Sequence, residues 1–157
     1  MYKTAVITLS DRAAAGMYED KSGMSIPELL GKDFEIVRYK VLPDEYDVLR
    51  EELIWLCDDM MVDLILTTGG TGCSPRDITP EATVDIAEKN VPGIAEAMRA
   101  HSLSITPRAM LSRGVSVIRK RTLIINLPGS PKAVRENLEC IIEALPHALE
   151  LISGGKE

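Results

Sequence analysis

Asp63-Leu64-Ile65-Leu66-Thr67-Thr68-Gly69-Gly70-Thr71-Gly72-Cys73-Ser74-Pro75-Arg76-Asp77-Ile78-Thr79-Pro80-Glu81 passes from a short apolar run into a polar glycine loop and on to a helix start. Val62 to Thr67 reads as a buried strand. Three glycines in the four positions 69–72 let backbone N–H groups approach a ligand with no Cβ in the way. A loop of this kind, after a strand and before a helix, is suited to anions. Thr68 and Thr71 add hydroxyl donors, and Asp77 is an acid just beyond them. An acid beside a phosphate-friendly loop reads as a metal ligand rather than a phosphate contact. Thr79-Pro80 supplies an N-cap followed by proline at the first helical position. The loop is not a Walker sequence, since no Gly-Lys-Ser/Thr follows, and it lacks the Gly-x-Gly-x-x-Gly order of dinucleotide folds. Glycine clusters after strands are often only turns. The strand before the loop, the Arg-Asp pair and the helix start favour a site.

The 157 residues suit one domain with a substantial core. Aromatic residues are only 4% of the chain, so the core must be built from Val, Ile, Leu, Met and Ala. A net charge of −6 argues against broad nucleic-acid binding, which needs a basic face. No run approaches the roughly 20 apolar residues needed to span a bilayer. The N-terminus enters a strand-like segment at once, so no signal peptide is expected. Cys57, Cys73 and Cys140 have no metal-ligand spacing, and His101 and His147 add none. They read as free thiols of a cytoplasmic protein.

The rest of the chain alternates strand and helix. Thr4–Leu9 is a first strand ending in Ser10-Asp11, and Asp20-Lys21-Ser22-Gly23 precedes a helix. These polar groups either face a ligand or simply cap and turn the chain. Residues 34–42 form a second strand. Leu49, Leu53, Leu56 and Met60 recur at helical spacing, which predicts a helix over 45–61. Asp44 fits the N-cap of that helix, yet it also lies at a strand's carboxyl end, as Asp77 does. Two acids on adjacent strand tips suit one divalent cation. A helix from Pro92-Gly93 presents Ile94, Ala97, Met98 and Leu103, with Ser102 toward its end. Residues 114–118 and 122–127 read as strands joined by Arg119-Lys120-Arg121, a solvated hairpin tip. Pro128-Gly129-Ser130-Pro131 is a second glycine turn before a capped helix. Val134, Leu138, Ile141, Leu145, Leu149 and Ile152 form one long amphipathic face, followed by a frayed tail over 154–157. The alternation predicts a three-layer α/β/α fold with a mainly parallel sheet and one antiparallel strand, in a single domain over 1–157. Sheet order is not readable from the pattern.

Taken together, these segments resemble the molybdenum-cofactor proteins of the MogA/MoaB type, a domain also found in gephyrin and in a related plant protein. The resemblance rests on 67–72, on Pro75-Arg76-Asp77-Ile78-Thr79-Pro80-Glu81-Ala82-Thr83, and on Pro92-Gly93. It continues through Ser102-Leu103, Ile105-Thr106-Pro107, Ala109–Arg113 and Thr122–Ser130. Ser10-Asp11, Asp20 with Ser22-Gly23, and Pro43-Asp44-Glu45 fit as well, so it covers nearly the whole chain. Cys73 and the basic turn at 119–121 depart from the pattern. Without a fused domain, the chain is similar to the stand-alone bacterial and archaeal enzymes.

The resemblance implies molybdopterin adenylyltransferase activity: AMP moves from Mg²⁺-bound ATP to the terminal phosphate of molybdopterin, and pyrophosphate leaves. It implies a homotrimer and hand-over of product to a molybdenum-insertion protein. Asp44 and Asp77 become the catalytic acids and metal ligands. Gly69, Gly70, Thr71, Gly72, Ser112, Pro128, Gly129 and Ser130 become nucleotide- and phosphate-holding positions. Ser10, Asp11, Asp20, Ser22, Thr68 and Ser102 become substrate contacts. Two alternatives share these residues: a module that binds the pterin without adenylylating it, and a nucleotide hydrolase on a related fold.

Overall fold

The computed structural model describes residues 1–155; Lys156 and Glu157, part of the expected frayed tail, lie outside the described residues. In chain order the elements are β1 (Tyr2–Leu9), α1 (Asp11–Ala14), α2 (Lys21–Leu30), β2 (Phe34–Leu42), α3 (Tyr46–Asp58), β3 (Leu64–Thr68) and α4 (Thr79–Asp85). Then come β4 (Lys89–Asn90), α5 (Pro92–Leu103), a 3-10 turn (Pro107–Leu111), β5 (Ser116–Arg119), β6 (Thr122–Leu127), α6 (Pro131–Ile141) and α7 (Leu145–Ile152).

The sheet order is β2-β1-β3-β6-β5-β4. β2, β1, β3 and β6 run parallel, and β5 is the one strand that opposes them. Alternate residues of each central strand enter different cores. Val6, Leu64, Leu66, Leu123 and Ile125 face α2, α5, α6 and α7. Ala5, Ile7, Ile65 and Ile124 face α3 and α4. Both faces are covered, so these strands read as apolar runs rather than alternating ones. The result is the expected three-layer, mainly parallel α/β/α fold.

The register sets where the site falls. Leu9 lies opposite Leu42, and Thr8 opposite Thr68, which lies opposite Leu127. All four parallel strands therefore deliver their following loops to one end. The chain leaves β1 for β2 on one side and returns to β3 on the other. Sheets of this kind open a crevice where the order switches, here between the tips of β1 and β3.

Several local expectations are corrected. α3 is capped at Glu45, and Asp44 makes no cap bond. Thr79 sits inside α4 after Ile78, and its hydroxyl donates to the Gly69 carbonyl at 2.9 Å. On α5 the buried residues are Ala95 and Met98, while Ala97 and Leu103 are exposed. The long terminal helix is divided by a 3-10 turn at Ile142–Ala144, because Pro146 cannot donate a helical N–H. Gly154 and Gly155 stop α7 in order, donating to the Leu151 and Glu150 carbonyls. The turn at 119–121 is less solvated than expected: Arg119 holds Asp58 at 2.8 and 3.0 Å and the Ile86 carbonyl at 3.0 Å.

Candidate active site

A cleft of about 770 Å³ opens at the switch point. It is lined by the tip of β1 and the α1–α2 segment, by Asp44 after β2, by Thr68 to Gly70 and Asp77 after β3, and by Gly129 and Pro131 after β6. Of the residues singled out from sequence, Ser10, Asp11, Asp20, Ser22, Asp44, Thr68, Gly69, Gly70, Asp77 and Gly129 line it.

Asp44 and Asp11 bind one another's backbone. The Asp11 N–H donates to Asp44 Oδ2 at 3.0 Å, and the Asp44 N–H donates to Asp11 Oδ1 at 2.9 Å. Arg76 grips Asp11 with two bonds of 2.9 Å and reaches Glu45 at 2.9 Å. These contacts, led by the Arg76 hydrogen bonds, hold the Asp11 carboxyl below the usual range. Asp11 is thereby engaged as a brace. Asp44 is different: burial, aided by the charges of Asp11 and Asp77, pushes its carboxyl upward, and hydrogen bonding from the Asp11 N–H opposes this only in part. Its Oδ1 is buried without a hydrogen-bond partner among the described residues.

The glycine loop is shaped by close approach. A Cβ on Gly69 (φ +94°) would lie 2.3 Å from the Leu9 carbonyl oxygen. On Gly70 (φ +69°) it would lie 2.3 Å from Thr79 Oγ1 and 3.2 Å from Asp44 Oδ1. Gly72 wraps Asp77, whose Oδ2 would be 2.8 Å from an added Cβ and takes the Ser74 N–H at 2.9 Å. Arg113 buckles this loop from behind, donating to the Gly72 and Asp77 carbonyls at 2.7 and 2.9 Å and pairing with Glu81 at 2.7 Å. The sequence reading assigned no role to Arg76 or Arg113; their place inside the quoted motifs was the available signal.

Other polar residues hold the frame. The Thr68 hydroxyl is buried and donates to the Pro128 carbonyl at 2.6 Å. Asp20 caps α2, taking the Gly23 N–H at 3.0 Å, and also accepts from Thr8 at 2.6 Å and from the Tyr39 hydroxyl. Ser22 donates to the Gly129 carbonyl at 2.6 Å, joining the start of α2 to the turn before α6. Ser10 and Ser130 cap α1 and α6. Thr71 is buried, and neither it nor Gly72 lines the cleft.

Ser102, Ser112 and Pro128 line a second cavity of about 210 Å³, which Arg99, Arg108 and Asn126 also line. Ser102 accepts from Asn137 at 3.0 Å. Pro128 and Gly129 are adjacent in the chain and line different cavities.

The donor set fits Mg²⁺. Asp44 Oδ1 is a buried carboxylate oxygen with nothing bound to it, and Asp77 stands in the same cleft. Among the described residues no group of three or more His, Cys, Asp or Glu forms a cage. Mg²⁺ keeps several waters and is usually held by one or two carboxylates together with substrate phosphates. Two acids in a cleft of small-ligand size match that habit. No helix among the described residues is long and apolar enough to cross a membrane.

Residues 5–147 match the family described as a probable molybdopterin binding domain. The chain is 46% identical over 155 residues to the molybdopterin adenylyltransferase of Helicobacter pylori strain J99, covering 95% of this chain and 86% of that protein. It is 39% identical over 168 residues to the molybdopterin adenylyltransferase of Escherichia coli K12, covering 97% and 86%. The crystal structure of the molybdopterin biosynthesis enzyme MoaB from Thermus thermophilus has a TM-score of 0.93 at 48% identity, covering 98% of each chain.

Proposed function

The chain belongs to the molybdopterin-binding family, and from that premise we propose that it is a molybdopterin adenylyltransferase, moving AMP from ATP to the terminal phosphate of molybdopterin. The observation that carries the reading is the buried, unpartnered Oδ1 of Asp44, a residue that lines a glycine-rich cleft at the sheet's switch point together with Asp77.

The chemistry asks little of a general base. A phosphate monoester has a second pKa of about 6, so its oxygen is already anionic near neutrality. That oxygen attacks the α-phosphorus, a new P–O bond forms, the bond to the β-phosphate bridge breaks, and pyrophosphate carries the electron pair away. The difficulty is bringing two polyanions together. Mg²⁺ held by Asp44 and Asp77 would neutralise phosphate charge. Gly69, Gly70 and Gly129 let phosphate oxygens approach the backbone, and the N-termini of α2 and α6 add favourable dipoles. Arg76 keeps Asp11 engaged, which leaves Asp44 and Asp77 as the acids of the glycine-loop side. We assign nucleotide to the larger cleft and the pterin to the cavity of Ser102 and Ser112, so that the reacting phosphates meet near Pro128-Gly129.

Single-turnover reaction with molybdopterin, α-labelled ATP and Mg²⁺ tests this. Label is expected on the pterin, and Asp77→Asn is expected to lose at least a hundredfold at limiting Mg²⁺. Tight pterin binding without label transfer would replace the enzyme reading with a carrier module, and pterin-independent AMP release would replace it with a hydrolase. Full turnover by Asp77→Asn would remove that acid from the mechanism. A homotrimer and a molybdenum-insertion partner belong to the same proposal. Exposed Leu103, Ile105, Met110 and Leu111 support a face for another copy, and light scattering giving a monomer would remove it.

A further inference from the structure

Acids outnumber cations in the cleft, and the two cations are unpaired. Five acids line it: Asp11, Glu19, Asp20, Asp44 and Asp77. Two of them are engaged within the protein, Asp11 by Arg76 and Asp20 by Thr8, Tyr39 and the Gly23 N–H. Among the described residues two cationic side chains line the same space, Arg12 on α1 and Lys21 at the first position of α2. Neither forms an ion pair or a side-chain hydrogen bond among the described residues. The other arginines near the site are occupied: Arg76 by Asp11 and Glu45, Arg113 by Glu81 and two loop carbonyls.

An unpaired surface lysine is ordinary by itself. These two stand in one cleft with the free acids: both come from the segment after β1, which also carries Glu19, while Asp44 and Asp77 follow β2 and β3. The cleft therefore holds unpaired acids that suit a cation and unpaired cations that suit phosphate. Ser22 ties the start of α2, and with it Lys21, to the turn before α6 by its 2.6 Å bond to the Gly129 carbonyl. In a chain of net charge −6, a bound triphosphate needs such local cations to offset the background repulsion.

Resting on the adenylyl-transfer reading, we propose that Arg12 and Lys21 form the leaving-group end of the nucleotide site. They hold the β- and γ-phosphates and stabilise the charge on pyrophosphate as the bond from the α-phosphorus to the β-bridging oxygen breaks. The electron pair of that bond goes to the pyrophosphate oxygen, and no proton transfer is needed. The α-phosphorus is then turned toward Asp44, Asp77 and the incoming pterin phosphate, so these two cations also orient the nucleotide.

The test uses inorganic pyrophosphate and AMP as separate probes, titrated calorimetrically with Mg²⁺ into wild type, Arg12→Gln, Lys21→Gln and Lys21→Arg. Both residues are exposed, and thermal unfolding confirms that each variant is folded. Each glutamine variant is expected to weaken pyrophosphate about tenfold, the scale of one charge-assisted hydrogen bond, and to leave AMP within about twofold. Lys21→Arg is expected to keep most of the pyrophosphate affinity. In the transfer assay kcat falls while the KM for pterin holds. Unchanged pyrophosphate binding, equal losses for AMP and pyrophosphate, or a change confined to the pterin KM would overturn the assignment. If wild type binds pyrophosphate through these side chains yet transfers no label, the anion site stands and the adenylyl-transfer reading fails.

Discussion

Gly69→Ala asks whether the site is built by backbone proximity rather than by side chains. A left-handed backbone costs an ordinary residue about 1–2 kcal/mol, and Gly69 sits at φ +94°. The added Cβ would also stand 2.3 Å from the Leu9 carbonyl oxygen, and must open to at least 3.0 Å, a shift of about 0.7 Å. That oxygen is backbone at the end of a central strand, so it cannot swing aside like a side-chain tip. Strain and displacement together are expected to cost about 2–4 kcal/mol. Two alanine controls separate the terms. Gly31 has φ +81° and ψ −166°, an essentially glycine-only region, with nothing within 4 Å of the added atom, so it gives a conformational cost without a clash, about 1–3 kcal/mol. Gly93 is helical with equally open surroundings and should be neutral or stabilised by about 0.5–1 kcal/mol. Urea unfolding of the three variants gives the ranking. In the transfer assay the same shift moves the loop relative to Asp44, and a misplacement near an ångström costs about a hundredfold. A Gly69→Ala protein no less stable than Gly31→Ala, with turnover intact, would refute the close-approach argument.

Asn126 is buried and donates to Thr67 and Thr83 at 3.0 and 3.1 Å while accepting the Val115 N–H at 3.1 Å. Asn126→Ala should therefore cost about 2–3 kcal/mol in urea unfolding, since it strands buried polar partners; a loss below about 0.5 kcal/mol would contradict this. Asp58 is held low first by the Arg119 hydrogen bonds. A lowered carboxyl adds stability above its unfolded pKa of 3.8 and loses it as pH falls through the folded value. Asp58→Asn should then melt lower at neutral pH, by about 1 kcal/mol for this partly exposed pair. That gap should close below pH 3.8, with transfer activity unchanged because the pair lies at the far end of the sheet; a gap independent of pH would exclude the ionic explanation.

The central strands were legible because helices cover both faces, so β1, β3 and β6 appear as unbroken apolar stretches. β4 was not, because Lys89 and Asn90 are exposed and carry no apolar signal. Asp44 shows the limit at the site. A favoured cap and a ligand look identical in sequence, and the one-residue offset that puts Glu45 at the N-cap removes the cap reading of Asp44. The glycine loop and Asp77 were read from local pattern, and Asp20 came with the resemblance. Their meeting with Asp44 depends on β1 lying between β2 and β3, which no local pattern encodes. Ser102 and Ser112 were named through resemblance alone, and only the packing of α5, the 3-10 turn and α6 assigns them to a separate cavity. Arg12 and Lys21 escaped notice because an unpaired cation is invisible until its neighbours are known to be paired.

The Tyr2 hydroxyl donates to the Pro146 carbonyl at 3.2 Å, and Arg121 at the hairpin tip donates to the Ser153 carbonyl at 2.6 Å. The beginning of β1 therefore meets the start of α7, and the β5–β6 hairpin tip meets the residue after that helix, at the end of the sheet opposite the cleft. For protein engineering, both attachment points lie on the blind side of the molecule. A reporter or partner domain spliced there would hang clear of the route by which ligands enter, and the unit can be built into a longer polypeptide without rebuilding its mouth.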